Sequence, residues 1–131
     1  MIVLDASAAL ELLLGTPRSR RVAQRALVPA ETLHIPHLLD LEVAQVLRRW
    51  VASGQVGEDR ARQALDDLAA LDLTRWPHDV PLERIWQLRS NLTAYDAAYV
   101  ALAEALRAPL LTCDRRLASA PGHHALVELI A

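Results

Sequence analysis

The chain has 131 residues, a length that folds as one domain and buries about two thirds of the surface of its unfolded form without a disulfide scaffold. Hydrophobic residues make up 53% and charged residues 23%, with seven Pro and only four Gly, which excludes intrinsic disorder, collagen-like repeats and low-complexity linkers. The formal net charge is -2, so the chain lacks the basic footprint of a strong non-specific DNA binder, and any nucleic-acid contact has to be local.

Cys113 is the only cysteine, which leaves no internal disulfide, no zinc-binding pair and no CxxC redox motif, and fits a reducing, cytoplasmic setting. No basic segment precedes the first apolar stretch, and Asp5 and Glu11 interrupt it, so neither a signal peptide nor a membrane span is expected. All fourteen basic residues are arginines, clustered at Arg18, Arg20, Arg21 and Arg25, at Arg48 and Arg49, and at Arg115 and Arg116.

In chain order, Ile2 to Leu4 is a β-branched apolar run ending at Asp5, the pattern of a buried parallel strand. Ala6 to Leu14 follows as a short helix. Thr16 is placed to cap a second helix with Pro17 at its first position, running from Arg18 to Leu27. Leu33 to Ile35 is a second strand, and His37 to Ala52 is a helix with a wide apolar stripe. Glu58 to Leu71 is an amphipathic helix, Leu73 to Trp76 a third strand, and Pro81 to about Ser90 another helix. Thr93 caps, with Asp96 three residues on, the apolar helix Ala97 to Leu106. Leu110 to Thr112 is a fourth strand, Arg115 to Ala118 a helical turn, and Ala125 to Ile130 a last strand. Strands alternating with helices predict a single α/β domain, residues 1–131, built on a parallel central sheet sandwiched between helices.

In an open parallel sheet, ligands bind beyond the carboxyl ends of the strands. Asp5 and Asp114 both stand there. Asp96 lies in the first turn of an apolar helix, where a capping role with Thr93 accounts for it equally well. Glu42 borders the buried stripe of its helix with no basic residue one turn away, so it needs a partner from elsewhere, either an arginine or a cation. Four carboxylates meeting at one edge would repel unless cations neutralise them, and an oxygen-only ligand set favours Mg²⁺ or Mn²⁺ over zinc. Ions of that kind activate water for phosphodiester hydrolysis. Ser7 and Thr112, two residues from Asp5 and Asp114, are candidate supporting hydroxyls.

These residues resemble a known family. Ile-Val-Leu-Asp5-Ala-Ser7, then Leu-Thr93-Ala-Tyr95-Asp96-Ala-Ala-Tyr99, then Leu-Leu-Thr112-Cys-Asp114-Arg115-Arg116-Leu are similar to PIN-domain ribonuclease toxins of the VapC type, over nearly the whole chain. The resemblance implies a parallel sheet of about five strands and a metal site in which Asp5 and Asp96 are direct ligands. It also implies Asp114 as a ligand often acting through water, and Glu42 as a ligand or water-orienting base. It further implies a homodimer, an RNA substrate and a cognate antitoxin that occludes the site. Some relatives carry a further acidic residue after the fourth carboxylate, whereas Arg115 and Arg116 stand here. Their guanidinium forks suit RNA phosphate or an acidic antitoxin segment as well as a surface ion pair.

His34, His37, His78, His123 and His124 show no metal-ligand spacing and read as surface or loop positions. Trp50, Trp76 and Trp86 fall on apolar positions and read as core or interface. Two other readings compete. A haloacid-dehalogenase-like phosphohydrolase would want a lysine, which is absent, and an Asp where Ser7 stands. A non-catalytic PIN-like module that binds RNA or protein would be free to lose the carboxylates that this chain keeps.

Overall fold

The computed structural model describes residues 1–131. Its elements are β1 (Ile2–Leu4), α1 (Ala6–Leu14), α2 (Ser19–Ala26), β2 (Leu33–Pro36), α3 (Leu38–Ala52), α4 (Glu58–Ala70), β3 (Leu73–Trp76), α5 (Leu82–Gln87), α6 (Ala94–Leu106), β4 (Leu110–Thr112), α7 (Arg115–Ser119) and β5 (Val127–Leu129). The five strands form one sheet in the order β3-β2-β1-β4-β5, with every pair parallel.

The three inner strands are apolar because helices cover them. Ile2, Val3, Leu4, Leu110 and Leu111 are all fully buried. β3 and β5 are edge strands and only half-buried, which is why β5 is shorter than the apolar run Ala125 to Ile130 predicts. α6 packs against β1, β2 and β4, and α1 against β4, α2, α3 and α4. Alanines dominate the centre of α6, where Ala97 to Ala103 are buried without interruption, and their small side chains let the helix lie close to the sheet. No helix is long and apolar enough to cross a membrane.

Local chemistry sets where the elements stop. β1 ends because Asp5 turns at once into the N-cap of α1, its carboxylate accepting the Ala8 amide at 2.9 Å. Gly15, at φ 63°, closes α1 in the left-handed region that a side chain resists. α6 starts at Ala94, capped by Thr93 Oγ1, which accepts the Asp96 amide at 3.1 Å; Asp96 is thereby inside the first turn. The cap expected for α2 does not form. That helix begins at Ser19 with no side-chain bond at its start, because the Thr16 hydroxyl donates instead to the Glu11 carboxylate of α1.

The histidines are more structural than their spacing suggests. His34 is buried in β2, where its Nδ1 accepts the Trp76 indole N–H at 3.0 Å and its Nε2 lies 2.9 Å from the Thr32 hydroxyl. His78 Nε2 accepts the Leu38 amide at 3.1 Å and so caps α3 from the β3–α5 connection. Trp50 and Trp76 are half-buried against the core, whereas Trp86 stands out from α5 with the Arg89 guanidinium 4.6 Å above its ring.

Candidate active site

The strand order reverses at β1. The chain leaves β1 toward β2 and β3, then returns to add β4 and β5 on the opposite flank, so the crevice of the sheet opens beyond the carboxyl ends of β1 and β4. Asp5 and Asp114 are the residues that follow those strands closely. The register Leu4 with Leu111 makes the two ends neighbours.

Asp5 is buried, with 4% of its surface exposed. One carboxylate oxygen accepts the Ala8 amide and, at 2.7 Å, the Ser7 hydroxyl; the other accepts the Thr112 hydroxyl. The two hydroxyls are oriented in turn by backbone N–H groups. Cys113 donates to Ser7 Oγ at 2.9 Å and Asp114 donates to Thr112 Oγ1 at 3.0 Å. Each hydroxyl has one proton, and both protons are committed to Asp5, so the 3.2 Å approach of Ser7 to Thr112 is a contact between oriented groups. Ser7 and Thr112 thus both donate to Asp5, and the Thr112 bond ties residue 5 to residue 112.

Glu42 projects from α3 and is half-buried. No arginine pairs with it; the buried Tyr99 hydroxyl of α6 donates to Glu42 Oε1 at 2.6 Å. Sequence reasoning missed Tyr99. The available signal was a phenol inside an alanine-lined buried stripe, since a buried hydroxyl requires an acceptor. Asp114 caps α7 by accepting the Arg116 amide at 2.9 Å, and the Arg116 side chain, 93% exposed, approaches the same oxygen at 3.8 Å. Arg115 is exposed as well.

The electrostatics join the four acids. Burial pushes the Asp5 carboxyl above the ordinary range, against the hydrogen bonds from Thr112, Ala8 and Ser7, and the Asp114 charge pushes it the same way. Burial also raises Glu42, opposed by Tyr99 and reinforced by Asp96 and Asp5. Asp96 is raised by burial and by Asp114, while Arg116 pulls it down. Tyr99, desolvated and beside Glu42, is held well above the usual tyrosine range and keeps its proton. Burial lifts the Cys113 thiol to about 11, so it stays protonated and inert at neutral pH.

Asp5, Glu42 and Asp96 form no ion pair with any arginine, histidine or chain terminus, although arginines pair elsewhere, as in Arg75 with Asp40 and Arg84 with Glu104. No cationic side chain closes on these three carboxylates, although Arg116 acts on Asp96 from further off, and an all-oxygen donor set suits a hard divalent cation. The side chains are not drawn into a closed shell, for no three His, Cys, Asp or Glu side chains converge enough to hold an ion.

A carboxylate thus stands at the central switch point of the parallel sheet, with Asp114 and Glu42 coupled to it and Asp96 coupled to Asp114. The PIN-domain family profile matches residues 2–122. Ribonuclease VapC12 of Mycobacterium tuberculosis is 45% identical over 131 residues, covering all of both chains. Ribonuclease VapC9 of the same organism is 50% identical over 117 residues, 89% of this chain and 88% of that one. Among solved structures, VapBC2 from Rickettsia felis bound to a DNA fragment from their promoter superposes with a TM-score of 0.70 at 15% identity, covering 98% of each chain. The chain belongs to the PIN-domain family and, at this identity over its full length, to the VapC branch of it.

Proposed function

We propose that this protein is an endoribonuclease that cleaves RNA phosphodiesters as the toxin of a toxin–antitoxin pair. The observation that carries the reading is the carboxylate edge, in which Asp5 is held by Ser7 and Thr112, Glu42 couples to Asp5, and Asp96 couples to Asp114, with none of Asp5, Glu42 and Asp96 in an ion pair. Full-length similarity to proteins named ribonucleases supports the same activity.

Mg²⁺ or Mn²⁺, held by Asp5, Asp96 and Asp114, would offset the carboxylate charge and supply Lewis acidity toward a phosphate oxygen. The chain's own residues do the rest. Ser7 and Thr112 fix the Asp5 carboxylate in one orientation, and Tyr99 fixes Glu42, whose free oxygen is left to receive a proton from attacking water. Arg115 and Arg116 are exposed beside Asp114 and present guanidinium donors to RNA phosphate or to an acidic antitoxin segment. A homodimer is part of the same reading, supported by the exposed apolar side chains Val80, Leu82 and Trp86 beside a groove of about 450 Å³ between α5 and α6.

The test is cleavage of total cellular RNA by purified, antitoxin-free protein with Mg²⁺, Mn²⁺ or EDTA, run beside Asp96→Asn. Discrete fragments are expected from the wild type with metal alone. Equal cleavage by Asp96→Asn, or none by folded wild type under any metal, would overturn the assignment.

A further inference from the structure

Tyr95 is 65% exposed, although it belongs to the helix whose next turn is the most buried part of the molecule. It stands four residues before Tyr99, on the same stripe of α6, and Tyr99 faces Glu42 of α3 at 2.6 Å. Side chains on a helix lean toward its N-terminus, so the Tyr95 ring is carried one turn out from the buried Tyr99–Glu42 pair. Asp96 lies 100° further round the helix, toward Asp114 and Arg116, whose charges both act on it.

Arg116, exposed like Arg115, acts on Asp96, so the first turn of α6 carries an exposed ring and a carboxylate with a guanidinium group near by. Trp86, the other strongly exposed aromatic, has its ring under Arg89, whereas no aromatic ring or guanidinium covers Tyr95. An exposed, uncovered aromatic ring next to a carboxylate on which a guanidinium also acts suits a strand that offers base and phosphate in turn. Duplex RNA offers no base face to such a ring.

Resting on the nuclease reading above, we propose that Tyr95 is a specificity-determining residue, a platform on which one unpaired base next to the cleaved phosphodiester stacks. The strand is held by a base on Tyr95 while Arg116 meets a neighbouring phosphate. The base is chosen by its π-face, so the platform sets the position of the strand more than its sequence.

The probe is the shortest single-stranded RNA that the wild type cleaves from total RNA, assayed with Tyr95→Ala, Tyr95→Phe and Tyr95→Trp. Tyr95→Ala is expected to raise KM about ten-fold with kcat changed less than about two-fold, and Phe and Trp to restore KM, since stacking needs the ring alone. An abasic substitution walked along the strand should raise the wild-type KM at one position, and should have no effect on Tyr95→Ala there. Anisotropy binding of the same RNA to Asp5→Asn and to the Asp5→Asn, Tyr95→Ala double variant should reproduce the loss without turnover. Equal KM for Tyr95→Ala in a protein that does cleave overturns this inference alone. If that equality comes with weaker capture of a co-expressed antitoxin, the ring belongs to a protein interface and the inference falls. No cleavage by the wild type overturns the nuclease reading and this one with it.

Discussion

At the scale of single residues, the site stores unfavourable charge. Asp5, Glu42 and Asp96 all have folded-state pKa values raised above their unfolded ones, chiefly by burial. Once ionised, such a group opposes folding; the penalty is complete above its folded pKa and vanishes below its unfolded value. In EDTA the protein is therefore expected to gain thermal stability as pH falls from neutrality through those raised values. The gain ends where Glu31 and Glu104, whose folded pKa values are lowered by the N-terminal ammonium and by Arg84 respectively, begin to lose their pairs. Asp5→Asn should raise the Tm measured in EDTA at neutral pH and flatten this dependence, because the amide removes the buried charge while Ser7 and Thr112 can re-aim their protons. Mg²⁺ should raise the Tm of the wild type and not that of Asp5→Asn. A wild-type Tm insensitive both to Mg²⁺ and to a fall in pH from neutrality would contradict the account.

At the scale of elements, α6 does two jobs with one sequence. Its alanine-lined length seats on the sheet, and its first turn carries Asp96 to the rim. Thr93→Ala removes the cap and is expected to destabilise the fold by about 1 kcal/mol in urea unfolding. Ala101→Leu, overpacking the buried centre of the helix, should cost about 1–3 kcal/mol, with the larger effect on the unfolding midpoint. Signals written in neighbouring residues were legible in the sequence: an apolar run stopping at Asp5, Thr93 before Asp96, and proline and glycine at the boundaries. Those that depend on tertiary meetings were not. Nothing local says that Tyr99 reaches Glu42 across 57 positions, that Trp76 donates to His34, or that Thr16 turns from its helix to Glu11. The placement of Asp5 and Asp114 side by side was available from the parallel topology alone. The orientation of their hydroxyl partners needed the register of β1 against β4.

At the scale of the whole molecule, Val80, Leu82 and Trp86 stand exposed around α5, and the groove there is lined by the C-terminal half of α6, whereas Asp96 sits in the first turn of that helix. If two copies meet there, Leu82→Glu with Trp86→Ala should convert a dimer to a monomer in light scattering, leaving each catalytic edge intact. A dimer unchanged by the pair would place the interface elsewhere.

The bond between Thr112 and Asp5 spans 107 positions, and β4 is the strand on which both the Asp5 carboxylate and the neighbouring Asp114 depend. A chain still being translated holds β1, β2 and β3 before β4 exists, so its Asp5 has Ser7 but not Thr112, and its sheet lacks the second wall of the crevice. The carboxylate edge is therefore complete only once β4 has been made.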